Sequence, residues 1–77
     1  MSIKIKSDKL REVREMKKMS RKDVANDIGW TEDRIVNIEE GRSGQTTQTV
    51  KYVEQLCDHY NINRNDIINY DWKDVTF

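Results

Sequence analysis

The stretch from Ser20 to Gly41 constrains this chain most, because it holds start and stop signals for two short helices set close together. Ser20-Arg-Lys-Asp23 reads as a capping box, with Asp in place of the commoner Glu: the hydroxyl takes the N–H three residues on, and the carboxylate reaches back. Val24, Ala25 and Ile28 form a buried face, and Gly29 stands where a left-handed residue ends a helix. Thr31 is a good N-cap for the next helix. Glu32 and Asp33 fall in its first turn, where the dipole favours carboxylates; Ile35 and Ile38 face inward, and Gly41 ends it. Helix two over about residues 21–28, the turn Gly29-Trp30-Thr31 and helix three are together the sequence form of a helix-turn-helix. Gly29 permits the sharp turn, and the apolar side chains lock the two helices at one angle. The outer face of helix three is then free to lie in a major groove.

The flanks read outward from this unit. Ile3 and Ile5 alternate with Lys4 and Lys6, which predicts either a short strand or an extended basic arm. Ser7 is the expected N-cap of helix one, with Asp8 in its first turn, an apolar stripe of Leu10, Val13 and Met16, and Lys17 and Lys18 at its end. Residues 42–48 are polar and predict a loop. Val50, Val53, Leu56, Cys57 and Tyr60 give the stripe of helix four, which Asn61 terminates in the left-handed conformation. Asn63 caps a short fifth helix containing Ile67 and Ile68, and the tail Asn69–Phe77 carries Tyr70, Trp72, Val75 and Phe77. The expected fold is therefore all-α: a compact five-helix bundle in one domain over 1–77, with its core in 8–68 and an aromatic tail over 69–77.

Composition narrows the function. A chain of 77 residues that is 35% hydrophobic has room for one small core, and domains of this size often need a staple or a partner subunit. One Cys excludes an internal disulfide framework and a Cys-rich zinc site, and one His adds little to a metal argument. Cys57 and His59, two apart on a helix, do not face each other. With no Gly-rich phosphate loop, no paired carboxylates in a cleft and no nucleophile motif, catalysis is not expected and no cofactor is required. No run of 18 apolar residues is present and the first residues hold no apolar signal segment, so the expected location is a reducing cytoplasm with no membrane contact.

The formal net charge is zero, which on its face argues against a polyanion partner. It conceals an asymmetry. Residues 1–22 hold nine basic and three acidic groups; residues 23–77 hold five basic and eleven acidic. Such a chain is a dipole whose basic end can meet phosphate and whose acidic end can face solvent or a basic protein.

Several pieces at ordered spacings now add up: Leu10-Arg-Glu-Val-Arg14, Met19-Ser20, Val24-Ala25, Ile28-Gly29, Ile35, Ile38-Glu-Glu-Gly41, Leu56 to Tyr60, Ile62-Asn63 and Ile67-Ile68. Over roughly residues 8–68 the chain resembles the lambda-repressor-like, Cro/Xre-type helix-turn-helix domain. That resemblance implies five short helices, with helix three reading double-stranded DNA. Arg21 stands where the family usually has a Gln that contacts phosphate and braces the reading helix, and Lys22 and Thr31 flank the same backbone. Glu32, Asp33, Arg34, Val36 and Asn37 fall on positions that reach base edges or nearby phosphates. Arg42 follows Gly41 where a basic phosphate contact is common, and Ser43 can add to it. Arg14 and Glu39 fall on a pair that forms a partly buried ion pair in some relatives.

Groove chemistry ranks these positions. Arg34 can bond bidentately to guanine O6 and N7, and Asn37 to adenine N6 and N7; Glu32 or Asp33 can accept from cytosine N4, and Val36 can pack on a thymine methyl. The two adjacent carboxylates depart from the neutral or basic residues of many relatives, and ordinary first-turn capping is the stronger account of them, with Asp33 the better placed of the two to meet DNA. The expected function is a sequence-specific regulator, a Cro-like or phage or bacterial repressor, that binds a palindromic operator as a homodimer; the tail residues Tyr70, Trp72 and Phe77 either supply the dimer contact with helix five or fold back on the chain's own core. A restriction-modification controller is of the same size. The alternative of a different class is a protein-interaction module on this scaffold, such as an antitoxin, which the acidic groups after residue 22 favour.

Overall fold

The computed structural model describes residues 2–44 and 46–71. Its elements in order are β1 (Ser2–Ile5), α1 (Ser7–Met16), α2 (Arg21–Ile28), α3 (Glu32–Glu39), α4 (Thr47–Tyr60), a single 3-10 turn (Arg64–Asp66) and β2 (Ile68–Asp71). The fold is mostly helical, with four α-helices among the described residues and a two-stranded antiparallel sheet joining its two ends.

The helix-turn-helix forms where its local signals put it. Ser20 Oγ accepts the Asp23 N–H at 3.0 Å while the Asp23 carboxylate accepts the Ser20 N–H at 3.2 Å, closing the capping box. Gly29 ends α2 at φ +75°, a region that side chains avoid, and the Trp30 N–H reaches back to the Ala25 carbonyl at 2.8 Å. Thr31 Oγ1 accepts the Arg34 N–H at 3.3 Å and so starts α3. Past its end, the Gly41 N–H bonds the Ile38 carbonyl and the Arg42 N–H bonds the Asn37 carbonyl, a Schellman closure. The same closure ends α4, with Asn61 at φ 57° as expected.

The core joins Leu10, Val24, Ala25, Ile35, Ile38, Val50, Val53, Leu56, Cys57, Tyr60, Ile67 and Ile68. Trp30, Tyr52 and Ile62 pack half-buried against it. This packing holds α3 against α2 and α1 through its inner face and leaves its outer face open.

The structure corrects the sequence reading at the ends and at three local points. The expected fifth helix is only the 3-10 turn, capped by Asn63 Oδ1, which accepts the Asn65 N–H at 2.9 Å. The chain then turns extended, because adjacent Ile67 and Ile68 are both fully buried and β1 offers a partner. Ile3 lies opposite Tyr70 and Ile5 opposite Ile68, and the Lys6 N–H extends the ladder to the Ile67 carbonyl at 2.8 Å. The alternating N-terminus is thus a strand and not a free arm. The first tail residues, Asn69–Asp71, belong to β2, while Trp72, Val75 and Phe77 lie outside the described residues.

Met16 is 81% exposed and not part of the core stripe. A three-residue recurrence drifts about 60° per step around a helix, so by Met16 it has left the buried face, and Arg14 takes the inward position. Lys6, not Ser7, occupies the N-cap of α1, without a side-chain cap bond. Finally, α4 begins at Thr47, inside the expected loop, because Thr46 Oγ1 accepts the Thr49 N–H at 3.3 Å.

Candidate nucleic-acid interface

The outer face of α3 borders an open groove of about 420 Å³. Thr31, Asp33, Arg34 and Asn37 line one side, from the cap, two exposed positions and one half-buried position of α3. Ser43, Thr46, Gln48, Thr49 and Tyr52 line the other, from the preceding loop and the first turns of α4. The loop is fastened to that second wall, since Thr49 Oγ1 donates to the Ser43 carbonyl at 2.9 Å. The groove therefore offers donors and acceptors from two elements.

Arg34 is held within it by rings. Its guanidinium carbon lies 4.5 Å from the Tyr52 ring centroid and 5.6 Å from that of Trp30. The two rings meet edge to face, with centroids 5.2 Å apart at 75°. Trp30 thus packs on the core and on Tyr52.

A second group of charges sits behind α3. Arg14 and Glu39 are 8% and 5% exposed. Arg14 Nε donates to Glu39 Oε2 at 2.7 Å and Nη2 to Oε1 at 3.1 Å, and Arg14 Nη1 reaches the Met19 carbonyl at 2.8 Å. Arg21 Nε donates to Glu39 Oε1 at 3.0 Å. The hydrogen bond to Glu39 holds the Arg14 proton more tightly than usual, against the opposing effect of burial. One carboxylate near the end of α3 thereby fixes α1 and the start of α2 at once.

The overall arrangement is a capped helix, a left-handed glycine turn and a second capped helix with an open polar face. A family model described as a helix-turn-helix domain, of the Xre/Cro-like type, matches residues 8–70. The chain belongs to the Xre/Cro-like helix-turn-helix family. No curated protein and no solved structure shows a match to it. Membership carries DNA binding as the general function of this helix-turn-helix chain.

The fold gathers Thr31, Asp33, Arg34, Asn37 and Ser43 into the groove beside the second helix of the motif. It does not bring the other expected positions there. Arg21 is turned onto Glu39, which makes it a brace for α3. Lys22 and Glu32 are exposed in the first turns of α2 and α3, and Val36 is half-buried. Arg42 is 68% exposed and pairs with Glu40 at 2.8 Å. Thr46, Gln48, Thr49 and Tyr52 lie outside the positions expected from the sequence. A polar cap before the α4 stripe was the available signal for Thr46, and a ring one position off that stripe was the signal for Tyr52.

Other titratable groups are built into the interior. Burial pushes the Cys57 thiol up to about 11, with neighbouring Asp58 adding to it. Burial, then Glu39, pushes the Tyr60 phenol up to about 12. His59 Nε2 lies 3.6 Å from an Asp27 carboxylate oxygen near the end of α2, beyond hydrogen-bond reach. Among the described residues, no helix is long and apolar enough to cross a membrane.

Proposed function

We propose that the protein is a non-catalytic, sequence-specific transcriptional regulator that binds double-stranded DNA in the cytoplasm through the outer face of α3. The observation that carries this is the groove where Arg34, Asn37 and Asp33 open together on a helix-turn-helix. Arg34 and Asn37 supply bidentate partners for guanine and adenine, and Asp33 an acceptor for cytosine N4. Arg42, Lys22 and Ser43 then supply backbone contacts, which position the protein without reading sequence. We further infer a homodimer on a palindromic operator, since a core this small gains from a second subunit and two-fold symmetry matches two half-sites.

Selection from a random duplex library across a salt series tests the reading. One palindromic site should emerge, with affinity falling steeply as salt rises. If no site is enriched even at low salt, the operator reading fails. In that case the carboxylate of Asp33 in the groove favours the second reading, a surface for a basic protein partner. Against the selected site, Arg34→Ala should relax preference at one base position by roughly 1–3 kcal/mol. Arg42→Ala should weaken all sequences alike. Equal effects of both changes on every duplex would show that Arg34 reads no base.

Sedimentation tests the dimer. The whole chain should run at twice its monomer mass, and a chain ending at Asp71 should run as a monomer if residues 72–77 supply the contact. An unchanged mass would exclude that segment as the interface.

A further inference from the structure

The six arginines are all among the described residues, and five of them face a carboxylate: Arg11 to Glu15, Arg14 and Arg21 to Glu39, Arg42 to Glu40 and Arg64 to Glu54. Among the described residues Arg34 has no such partner. At the edge of the groove its guanidinium lies against the Tyr52 and Trp30 rings. The difference is chemical. A carboxylate occupies an arginine's N–H donors with strong, charge-assisted hydrogen bonds; a ring attracts the cation through its π cloud and offers no oxygen acceptor, which leaves the donors available to a base edge.

The geometry points to Tyr52 as a positioning residue for base recognition: from α4 it holds the Arg34 guanidinium in place with its hydrogen-bonding fork free for guanine. This role rests on the DNA reading above. An arginine side chain otherwise loses considerable rotamer freedom when it docks, and ordering it in the free protein removes part of that cost. The Trp30 ring, packed edge to face on Tyr52, keeps the Tyr52 ring in turn from rotating away. Discrimination by the second helix of the motif thus depends on a residue outside the motif, which acts through Arg34.

Two kinds of measurement test this. In the free wild-type protein, the Arg34 side-chain proton resonances should be displaced upfield by the rings beneath them; random-coil shifts would overturn the proposal. In duplex selection, Tyr52→Phe keeps the ring and should keep the wild-type preference. Tyr52→Leu should lose ~3- to 10-fold discrimination at the base position that Arg34→Ala relaxes, and little elsewhere. Tyr52→Met, which keeps bulk without a ring, serves if the leucine variant does not fold. A folded ringless variant that keeps full discrimination, or that weakens all duplexes alike, overturns the positioning role while DNA binding stands. A wild-type protein that enriches no duplex overturns the DNA reading itself, and this role with it.

Discussion

Glu39→Ala should remove about 3–5 kcal/mol of stability, because it leaves the Arg14 guanidinium buried without its counter-charge. A chain of this length has a total of only about 4–12 kcal/mol to lose. The variant should therefore be partly unfolded at room temperature or melt many degrees below the wild type. Arg21 loses its partner as well, but it keeps access to water and contributes less. Urea unfolding followed by circular dichroism measures the loss. Replacing both Arg14 and Glu39 with leucine should recover most of it, since an apolar pair of similar shape leaves no charge stranded. A loss below about 1 kcal/mol in the single variant would show that water screens the pair as it does a surface ion pair.

The second large effect is alkaline. The Cys57 thiol is raised from 9.0 to about 11 and the Tyr60 phenol from 10.0 to about 12, chiefly by burial. In both groups the folded state holds the proton more tightly than the unfolded chain does. Their contribution is complete below the unfolded value and declines as pH rises through the folded one. Stability should thus be level up to about pH 9, then fall by roughly 2–3 kcal/mol for each group as pH approaches 12. Melting temperatures taken from pH 7 to 12 follow this directly. Cys57→Ala should move the onset from about 9 to about 10, where Tyr60 takes over. A melting temperature that stays level to pH 12 would mean that both groups ionise in the fold as readily as in the unfolded chain, and that burial does not raise them.

The reach of the sequence can be judged from individual residues. Ser20, Asp23, Gly29, Thr31 and Asn61 act through atoms a few residues away, so their types and spacing sufficed to place the helix boundaries they control. Met16 was misplaced by a counting rule, three residues per step where the helix turns every 3.6. Ile67-Ile68 was a different failure. Its conformation is decided by β1, at the far end of the chain, and no local pattern near Asn63 contains that information. In the groove, the positions on α3 followed from the family resemblance. Tyr52 and Gln48 did not, because they approach from α4 through the tertiary fold. Arg21 shows the remaining gap: its position suited either phosphate or a brace, and only the placement of Glu39 directs it inward.

The pairing of β1 with β2 turns the chain into a closed circuit, its first and last described strands lying side by side. During synthesis Ser2–Ile5 must wait, unpaired, until the ribosome has released Ile68–Asp71. The four helices can gather from neighbours already made, whereas Ile67 and Ile68 can join Leu10 in the core only once their own segment has emerged. Full packing of the core around α3 is thereby tied to a segment made after all four helices.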